Sequence, residues 1–254
     1  MIKTKSFDKN PKNREGASEH LWAPGDLKLT DKYKYVTNNV FIKIGKFIIV
    51  TFGLPFFYLK MKKKYDFEII GKENADVLKN KSCITVSNHV LNLDSVMLTQ
   101  AFYPEIPRIV SLKHNFDLFV LGGMIRCLGA IPLPDTSKRE AFLKFQQDIN
   151  GLLKKGKEKV HIFPEGIIEP KSRKIRNFQK GAFYFAVKND VPILPMVFVF
   201  PDDKRVRLVV GKPIYKEDIK DYERLTDPKA VVAIAQKTKD EMQQLLDDYY
   251  GGEL

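Results

Sequence analysis

The stretch that decides the fold is Cys83–Leu98, with the sequence CITVSNHVLNLDSVML. Its first residues are apolar and β-branched, which predicts a buried strand ending at Ser87. The polar residues Asn88 and His89 follow at once, and Asp94 then enters a helical pattern. Loops that leave the carboxyl ends of strands are where α/β sheets bind their ligands. The pattern therefore indicates a site at the end of this strand.

His89 and Asp94 are candidates for a general base and the carboxylate that orients it. An imidazole titrates near neutral pH, so it can accept a proton from a substrate hydroxyl. The five residues from His89 to Asp94 allow the carboxylate to fold back, fix the tautomer of the ring and stabilise the imidazolium. Taken alone this spacing is a weak signal, because Asp94 is equally placed to cap its own helix.

From residue 65 onward, short β-rich runs alternate with helical patterns, which predicts an α/β domain over residues 65–254. Apolar residues recur on one helical face within 138–155 and within 228–250, so both segments are expected to be helices. Seven runs are predicted to be strands: Phe67–Ile70, Cys83–Ser87, Arg108–Leu112, Ala130–Leu133, Val160–Phe163, Ile193–Phe200 and Val206–Val210.

A second strand end also carries polar residues, in Lys159–Phe178, KVHIFPEGIIEPKSRKIRNF. Glu165 and Gly166 come directly after the strand, and a glycine allows a ligand to approach the backbone closely. The loop beyond them is basic, so Arg173 and Arg176 are candidates for holding a phosphate group. The alternative is an ordinary solvated loop, as most charge runs are.

The formal charge of +12 favours an anionic partner, which includes nucleic acid, an anionic bilayer and phosphorylated or CoA-like molecules. The sequence has no basic recognition helix, so nucleic acid is not expected. The two cysteines, Cys83 and Cys127, are too few for a disulfide framework, and no metal-binding pattern is present. A P-loop and a GxGxxG motif are also absent from the sequence. His161 lies in a predicted strand and is interpreted as a core histidine.

Residues 38–64, NNVFIKIGKFIIVTFGLPFFYLKMKKK, form the most apolar segment and have basic residues near both ends. A membrane-spanning helix needs about 20 apolar residues, and lysines, Gly53 and Pro55 interrupt this run. We therefore expect a shallow helical hairpin in the membrane interface, with its lysines at the lipid phosphates. A helix buried against the domain is the alternative. Residues 1–37 are expected to form a polar arm without a signal peptide.

Four blocks of the sequence resemble, in the same order, the motifs of the glycerolipid acyltransferase family. They are Asn88–Asp94 (NHVLNLD, for NHxxxxD), Gly129–Asp135 (GAIPLPD, for GxIPVDR), Phe163–Gly166 (FPEG) and Val191–Met196 (VPILPM, for VPIVPV). Over about residues 40–215 the chain is therefore identified as a member of this family, which includes 1-acylglycerol-3-phosphate acyltransferases. The resemblance implies a mixed sheet flanked by helices, preceded by a membrane-associated helical motif.

The same resemblance implies roles for individual residues. His89 corresponds to the family's catalytic base and Asp94 to its charge partner. Glu165 and Gly166 match the block that lines the glycerol and phosphate of the acceptor. Lys113, in SLKHNF, resembles a lysine placed near the acceptor head group. The predicted site therefore consists of the catalytic residues His89 and Asp94 and the substrate-binding residues Asn88, Lys113, Glu165, Gly166, Arg173 and Arg176.

Two arginines of the family pattern are missing from this chain. The block FPEGTRS becomes FPEGIIE, with Ile167 and Ile168 in place of threonine and arginine, and the GxIPVDR block ends in Asp135. A guanidinium–phosphate pair is strong, so its loss needs an explanation. Either nearby cations such as Arg173 or Arg176 take over the phosphate contact, or the acceptor has a larger head group.

The resemblance implies transfer of a fatty acyl chain from acyl-CoA or acyl carrier protein to the free hydroxyl of a lysophospholipid. The first candidate acceptor is 1-acylglycerol-3-phosphate, which gives phosphatidic acid. The alternatives are a remodelling acyltransferase or a transacylase that acts on a larger head group and, last, a noncatalytic basic membrane-binding protein. We expect no metal or other cofactor besides the acyl donor, membrane lipids as partners, and a peripheral or monotopic location on the cytoplasmic face of a membrane.

Overall fold

The computed structural model describes residues 27–36 and 39–252. Within these residues the strands are β1 (Glu68–Ile70), β2 (Cys83–Ser87), β3 (Arg108–Leu112), β4 (Ile131–Leu133), β5 (Lys159–Ile162), β6 (Ile193–Val199) and β7 (Arg207–Val210). They form one sheet in the order β1-β7-β6-β2-β5-β3-β4. Neighbouring strands are parallel, except that β6 and β7 are antiparallel. The predicted mixed sheet is thus confirmed.

Helices cover both faces of this sheet. The α-helices of the described residues are α1 (Val40–Ile48), α2 (Leu54–Tyr65), α3 (Glu73–Asp76), α4 (Asp94–Met97), α5 (Lys113–Asp117), α6 (Phe119–Cys127), α7 (Arg139–Leu153), α8 (Gly181–Asn189) and α9 (Asp227–Gly251). The core on one face contains buried side chains of α7, α8 and α9. The core on the other face contains buried side chains of α2, α3 and α4. Successive residues of a strand point to opposite faces, so β2 contributes to both cores.

The prediction of a helical hairpin before the sheet is wrong. Instead, α1 and α2 belong to one continuous helix, Val40–Tyr65, which we call the apolar helix. A π-helical turn at Ile49–Gly53 joins them, and the Leu54 N–H bonds to the Ile49 carbonyl five residues back. The wider turn accommodates Pro55, which lacks the N–H that a regular α-helix requires. By length and composition alone, this helix could cross a membrane.

The apolar helix has a packed face and an exposed face. Leu54 and Met61 are buried against the domain, and Gly45 lies directly against Cys127 of α6. The opposite face carries large apolar side chains that are each more than half exposed: Val40, Phe41, Ile44, Phe47, Ile48, Phe52, Phe56 and Leu59. An exposed apolar surface of this extent is typical of a site that contacts a membrane or another protein.

Residues 27–36 of the expected polar arm pack against the domain. Leu29 and Tyr35 are buried in the core on the α7 side of the sheet. The Tyr35 hydroxyl donates a hydrogen bond to the Ala141 carbonyl of α7 at 3.2 Å. The rest of the expected arm, residues 1–26 and 37, lies outside the described residues.

The close packing of α1 on α6 predicts that Gly45→Ala destabilises the protein. A Cβ atom at residue 45 would lie 2.6 Å from the Sγ atom and 3.3 Å from the Cβ atom of Cys127, so the Cys127 side chain or one of the two helices must shift. The free energy of unfolding, measured by denaturant titration, is expected to fall by about 1–3 kcal/mol.

Gly151→Ala in α7 is the matched control, because a Cβ atom there meets nothing within 4 Å. This change is expected to leave stability equal or slightly higher, since alanine favours helix over glycine. Combining Gly45→Ala with Cys127→Ala should recover part of the lost stability. Equal stability of the two single glycine variants would contradict the packing of α1 on α6.

Candidate active site

The β2 strand carries His89 to the edge of the sheet at which the parallel strands end. The carboxamide of Asn88 is buried and bonds the main chain of Phe198 in β6. Its Nδ2 donates to the Phe198 carbonyl at 3.0 Å, and its Oδ1 accepts the Phe198 N–H at 2.7 Å. Both polar ends of Asn88 are therefore engaged within the sheet, and the structure does not bring this side chain to the open side of the site. The backbone from which His89 projects is held in place.

His89 and Asp94 form the hydrogen-bonded pair that their spacing predicts, with His89 Nδ1 2.7 Å from Asp94 Oδ2. The Asp94 side chain is fully buried, whereas that of His89 is 19% exposed. An ionised carboxylate only accepts hydrogen bonds, so Nδ1 carries the ring proton and Nε2 keeps its lone pair. The free lone pair makes His89 Nε2 a proton acceptor.

Asp94 does not cap the helix that it begins. Its Oδ2 atom also accepts the N–H groups of Val90 and Leu91, at 2.9 and 3.2 Å, which both precede α4. The N-cap of α4 is Leu93, which makes no side-chain capping bond. Asp94 was interpreted either as a helix cap or as the carboxylate that orients the imidazole, and its geometry is that of the orienting carboxylate.

The loop after β5 closes on His89 from the neighbouring strand. Phe163 stacks on the imidazole, with the ring centroids 4.0 Å apart and the planes inclined by 16°. The Glu169 N–H donates to the His89 carbonyl at 2.7 Å. These contacts follow from the parallel register of β2 and β5, which pairs Val86 with Ile162 and lets the two loops leave the sheet side by side.

Glu165 and Arg176 of the same loop are brought together. The buried Glu165 accepts from Nη2 of Arg176 at 3.0 Å and from its backbone N–H at 3.2 Å. The guanidinium also bonds Glu169 at 3.2 Å and the Ile167 carbonyl at 2.8 Å. One guanidinium thus faces two carboxylates, which leaves this cluster with one surplus negative charge when all three groups are ionised.

The three other predicted substrate-binding residues lie in different places. Gly166 is exposed and has a φ of 72°, which glycine adopts without strain. Lys113 begins α5 directly after β3, with its Nζ 3.5 Å from Asp117. Arg173 packs against the C-terminal helix instead, where its guanidinium lies 4.2 Å from the ring centroid of Tyr250. Lys113 and Gly166 therefore share the edge of the sheet that bears His89, because both follow the carboxyl end of a parallel strand.

A buried polar layer beneath His89 was not part of the predicted site. His161 of β5 is fully buried, with Nδ1 2.9 Å from Thr85 Oγ1 and Nε2 3.5 Å from Ser87 Oγ. Its ring meets Phe163 edge-on at 4.4 Å, and Phe163 in turn stacks on His89. Burial and, to a smaller extent, the nearby His89 together lower the pKa of His161 to about 3. His161 is therefore neutral and supports Phe163 from below. The polar residues Thr85 and Ser87, at alternate positions of β2, were the feature of the sequence that could have indicated this buried layer.

These side chains together can activate a hydroxyl group. An oriented imidazole with a free Nε2 removes a proton, and the buried carboxylate stabilises the imidazolium that forms. Neither residue of the pair is a nucleophile of the serine or cysteine type, so the pair suits activation of a hydroxyl group on a substrate. Among residues 27–36 and 39–252, no group of three or more His, Cys, Asp or Glu side chains is arranged to hold a metal ion.

Residues 66–199 match the family model described as Acyltransferase. The chain therefore belongs to the acyltransferase family, and the resemblance to glycerolipid acyltransferases is confirmed. The matched residues contain the His89–Asp94 pair and the complete Glu165–Arg176 loop.

Several curated relatives are named 1-acyl-sn-glycerol-3-phosphate acyltransferase. The protein from Saccharomyces cerevisiae is 30% identical over 140 residues, which cover 55% of this chain and 45% of the yeast protein. The human protein named as the beta form is 29% identical over 147 residues, covering 57% of this chain and 51% of that protein. The chain thus spans about half the length of these relatives.

The fold also matches a solved structure. The crystal structure of the 1-acyl-sn-glycerophosphate (LPA) acyltransferase PlsC from Thermotoga maritima aligns with a TM-score of 0.55 at 17% sequence identity. The alignment covers 84% of this chain and 96% of that one. At this level of identity the match supports the architecture of a sheet flanked by helices.

The buried state of His161 predicts that acid destabilises the protein. An unfolded histidine binds a proton near pH 6.5, whereas His161 in the folded protein does so near pH 3. Between these values the unfolded chain binds more protons, so the free energy of unfolding falls as the pH is lowered from 6.5 toward 3. Denaturant titrations at several pH values measure the slope of the free energy of unfolding against pH.

His161→Asn is expected to flatten this pH dependence, because asparagine does not titrate. His114→Asn changes an exposed histidine and is the matched control. An unchanged slope in His161→Asn would show that the acid sensitivity arises elsewhere.

Proposed function

We propose that this protein transfers a fatty acyl chain from a thioester, acyl-CoA or acyl carrier protein, to the free hydroxyl of a lysophospholipid. The first candidate acceptor is 1-acylglycerol-3-phosphate, which gives phosphatidic acid. The observation that carries the proposal is the 2.7 Å bond from His89 Nδ1 to Asp94, which leaves Nε2 free as a base. The names of the yeast and human relatives support the choice of acceptor.

The reaction needs one proton acceptor and no covalent enzyme intermediate. The acceptor hydroxyl donates its proton to His89 Nε2 while its oxygen attacks the thioester carbonyl. The tetrahedral intermediate then collapses, so that a C–O bond has formed and the C–S bond breaks. The departing thiolate takes the proton back from the imidazolium. Asp94 stabilises the imidazolium between these two transfers and keeps Nε2 directed at the substrate. This sequence needs no metal or cofactor.

The side of the site that would meet the acceptor head group carries both charged and apolar side chains. Lys113 lies at the same edge of the sheet as His89 and is the cation that we assign to the acceptor phosphate. Arg176 is already held by Glu165 and Glu169, so little of its charge remains for a phosphate. The Ile168 side chain, where the family pattern has an arginine, is 37% exposed. An isoleucine in place of a cation, beside a cluster with one surplus negative charge, favours a second candidate function, acylation of a lysophospholipid whose phosphate carries a larger head group.

We further propose that the apolar helix places the enzyme on a bilayer surface. One face of the helix packs on the domain through Leu54 and Met61, so the helix lies along the domain and does not leave it as a separate anchor. Its exposed apolar face suits the acyl region, and its last turn carries Lys62, Lys63 and Lys64, which suit lipid phosphates. The arrangement is that of a monotopic protein, and we assign it to the cytoplasmic face.

His89→Ala is expected to lower kcat by at least about a hundredfold, the usual effect of removing a positioned base. Asp94→Asn should also lower kcat strongly, because an amide cannot hold the ring as an ionised carboxylate does. Acyl transfer is measured as thiol release from acyl-CoA in the presence of lysophosphatidic acid. His114→Ala is the matched control, and circular dichroism confirms folding. A folded His89→Ala enzyme with nearly full kcat would reject the assignment.

A panel of acceptors with one acyl-CoA tests the choice of substrate. We expect the highest kcat/KM for lysophosphatidic acid and lower values for lysophosphatidylcholine and lysophosphatidylethanolamine. Ile168→Arg restores the cation of the family pattern and is expected to lower KM for lysophosphatidic acid more than for the other acceptors, because a guanidinium pairs best with a terminal phosphate. Ile168→Gln is the uncharged control. A wild-type preference for the larger head groups would replace the first candidate with the second.

A further inference from the structure

A cavity lies at the opposite edge of the sheet from His89. It has a volume of about 290 Å³ and is lined by residues of the 27–36 segment, by Ile42 of α1, by Arg126 of α6 and by Arg108. Because β2, β5 and β3 are parallel, Arg108 at the start of β3 and His89 after the end of β2 lie at opposite edges. The cavity is therefore separate from the proposed active site.

The surroundings of this cavity carry a surplus of positive charge. Lys34, Arg108 and Arg126 line it, and Lys46 is close enough to Arg108 to interact with it electrostatically. Arg108 is paired with Glu158 at 2.8 Å. Lys46 also interacts electrostatically with Glu158, whereas Lys34 and Arg126 form no ion pair with a carboxylate within the described part of the chain. Three cations thus line the hollow and Lys46 lies near it. Glu158 pairs with Arg108, and two further carboxylates bond the backbone of lining residues: Asp117 accepts the Leu27 N–H and pairs with Lys113, and Asp148 accepts the Tyr35 N–H and pairs with Lys144. Lys34 and Arg126 account for the surplus positive charge.

The polar lining also offers a neutral hydrogen-bond donor. Tyr33 lines the cavity and interacts with the Arg126 side chain. Burial raises the pKa of Tyr33, although Arg126 opposes the effect, so the phenol keeps its proton and can donate it to an anion. Guanidinium, ammonium and phenol groups around one hollow are the donors that a phosphate group needs.

The cavity adjoins an exposed apolar surface. α1 packs on α6 through Gly45 and Cys127, so the exposed faces of these two helices are neighbours. Phe41 and Ile44 of α1 are 76% and 52% exposed, and Leu121 and Met124 of α6 are 43% and 45% exposed. A ligand whose phosphate enters the cavity could therefore lay acyl chains on this surface.

We infer that this cavity binds the phosphate-bearing head group of an anionic phospholipid, with its acyl chains on the exposed faces of α1 and α6. The site differs from the proposed acceptor site in position, and it does not require the catalytic step. A bound lipid would fix the start of the apolar helix against α6 and thereby favour anionic over neutral membranes.

The test is the binding of the full chain to phosphatidylcholine vesicles with and without phosphatidic acid, measured by flotation. Arg126→Gln is expected to weaken binding to the anionic vesicles about tenfold, the loss of roughly one charge-assisted hydrogen bond, and to leave binding to neutral vesicles unchanged. Lys34→Gln removes an exposed cation from the cavity and should act in the same direction without affecting folding.

Arg224→Gln is the matched control, because it removes the same charge from an arginine whose side chain is 85% exposed elsewhere on the protein. An equal loss in Arg126→Gln and Arg224→Gln would show diffuse attraction and overturn the proposal, as would full binding by both cavity variants. Inorganic phosphate supplies a second arm. If phosphate alone raises the melting temperature of the wild type but not of Arg126→Gln, while flotation shows no preference for the anionic vesicles, the lipid assignment is overturned in favour of free phosphate.

Discussion

The hydrogen bond between His89 Nδ1 and Asp94 Oδ2 is the interaction on which the rest of the site depends. A buried carboxylate is costly unless donors surround it, and the donors at Asp94 are the imidazole and the N–H groups of Val90 and Leu91. All three donors bond Oδ2, whereas Oδ1 is buried and has no hydrogen-bond partner within the described residues, so opening the turn after β2 would remove the donors on which the carboxylate depends. The need to satisfy one buried charge therefore holds the base in its orientation.

The neighbouring strands hold this turn from both sides. Asn88 binds the main chain of Phe198 in β6, and the His89 carbonyl accepts a hydrogen bond from Glu169 in the loop after β5. The site thus rests on three strands of one sheet, whose relative positions are fixed by backbone ladders. Such rigid support is what a general base requires, because small displacements from the productive geometry cost much of the rate.

The features that the sequence predicted are those that depend on local patterns. All seven strands lie within one residue of their predicted bounds, because each is a short β-rich run between turn or helical signals. The His89–Asp94 pair spans one turn, so its spacing was informative. The hydrogen bonds between Asn88 and Phe198, which are 110 residues apart, depend on the order of the strands, so they could not be predicted from the sequence. The support from His161 depends on the register of β2 and β5, and the continuity of the apolar helix depends on a π-turn that composition does not encode.

The stacking of Phe163 on His89 has a consequence for the charged state of the base. The ring centroids lie 4.0 Å apart and the planes are nearly parallel, so the negative face of the phenyl ring is turned toward the imidazole. When the imidazole takes up a proton, this contact becomes a cation–π interaction, worth roughly 0.5–2 kcal/mol. Phe163 therefore stabilises the protonated imidazole of His89 more than the neutral one. The protonated imidazole is the state that exists once the proton has left the substrate.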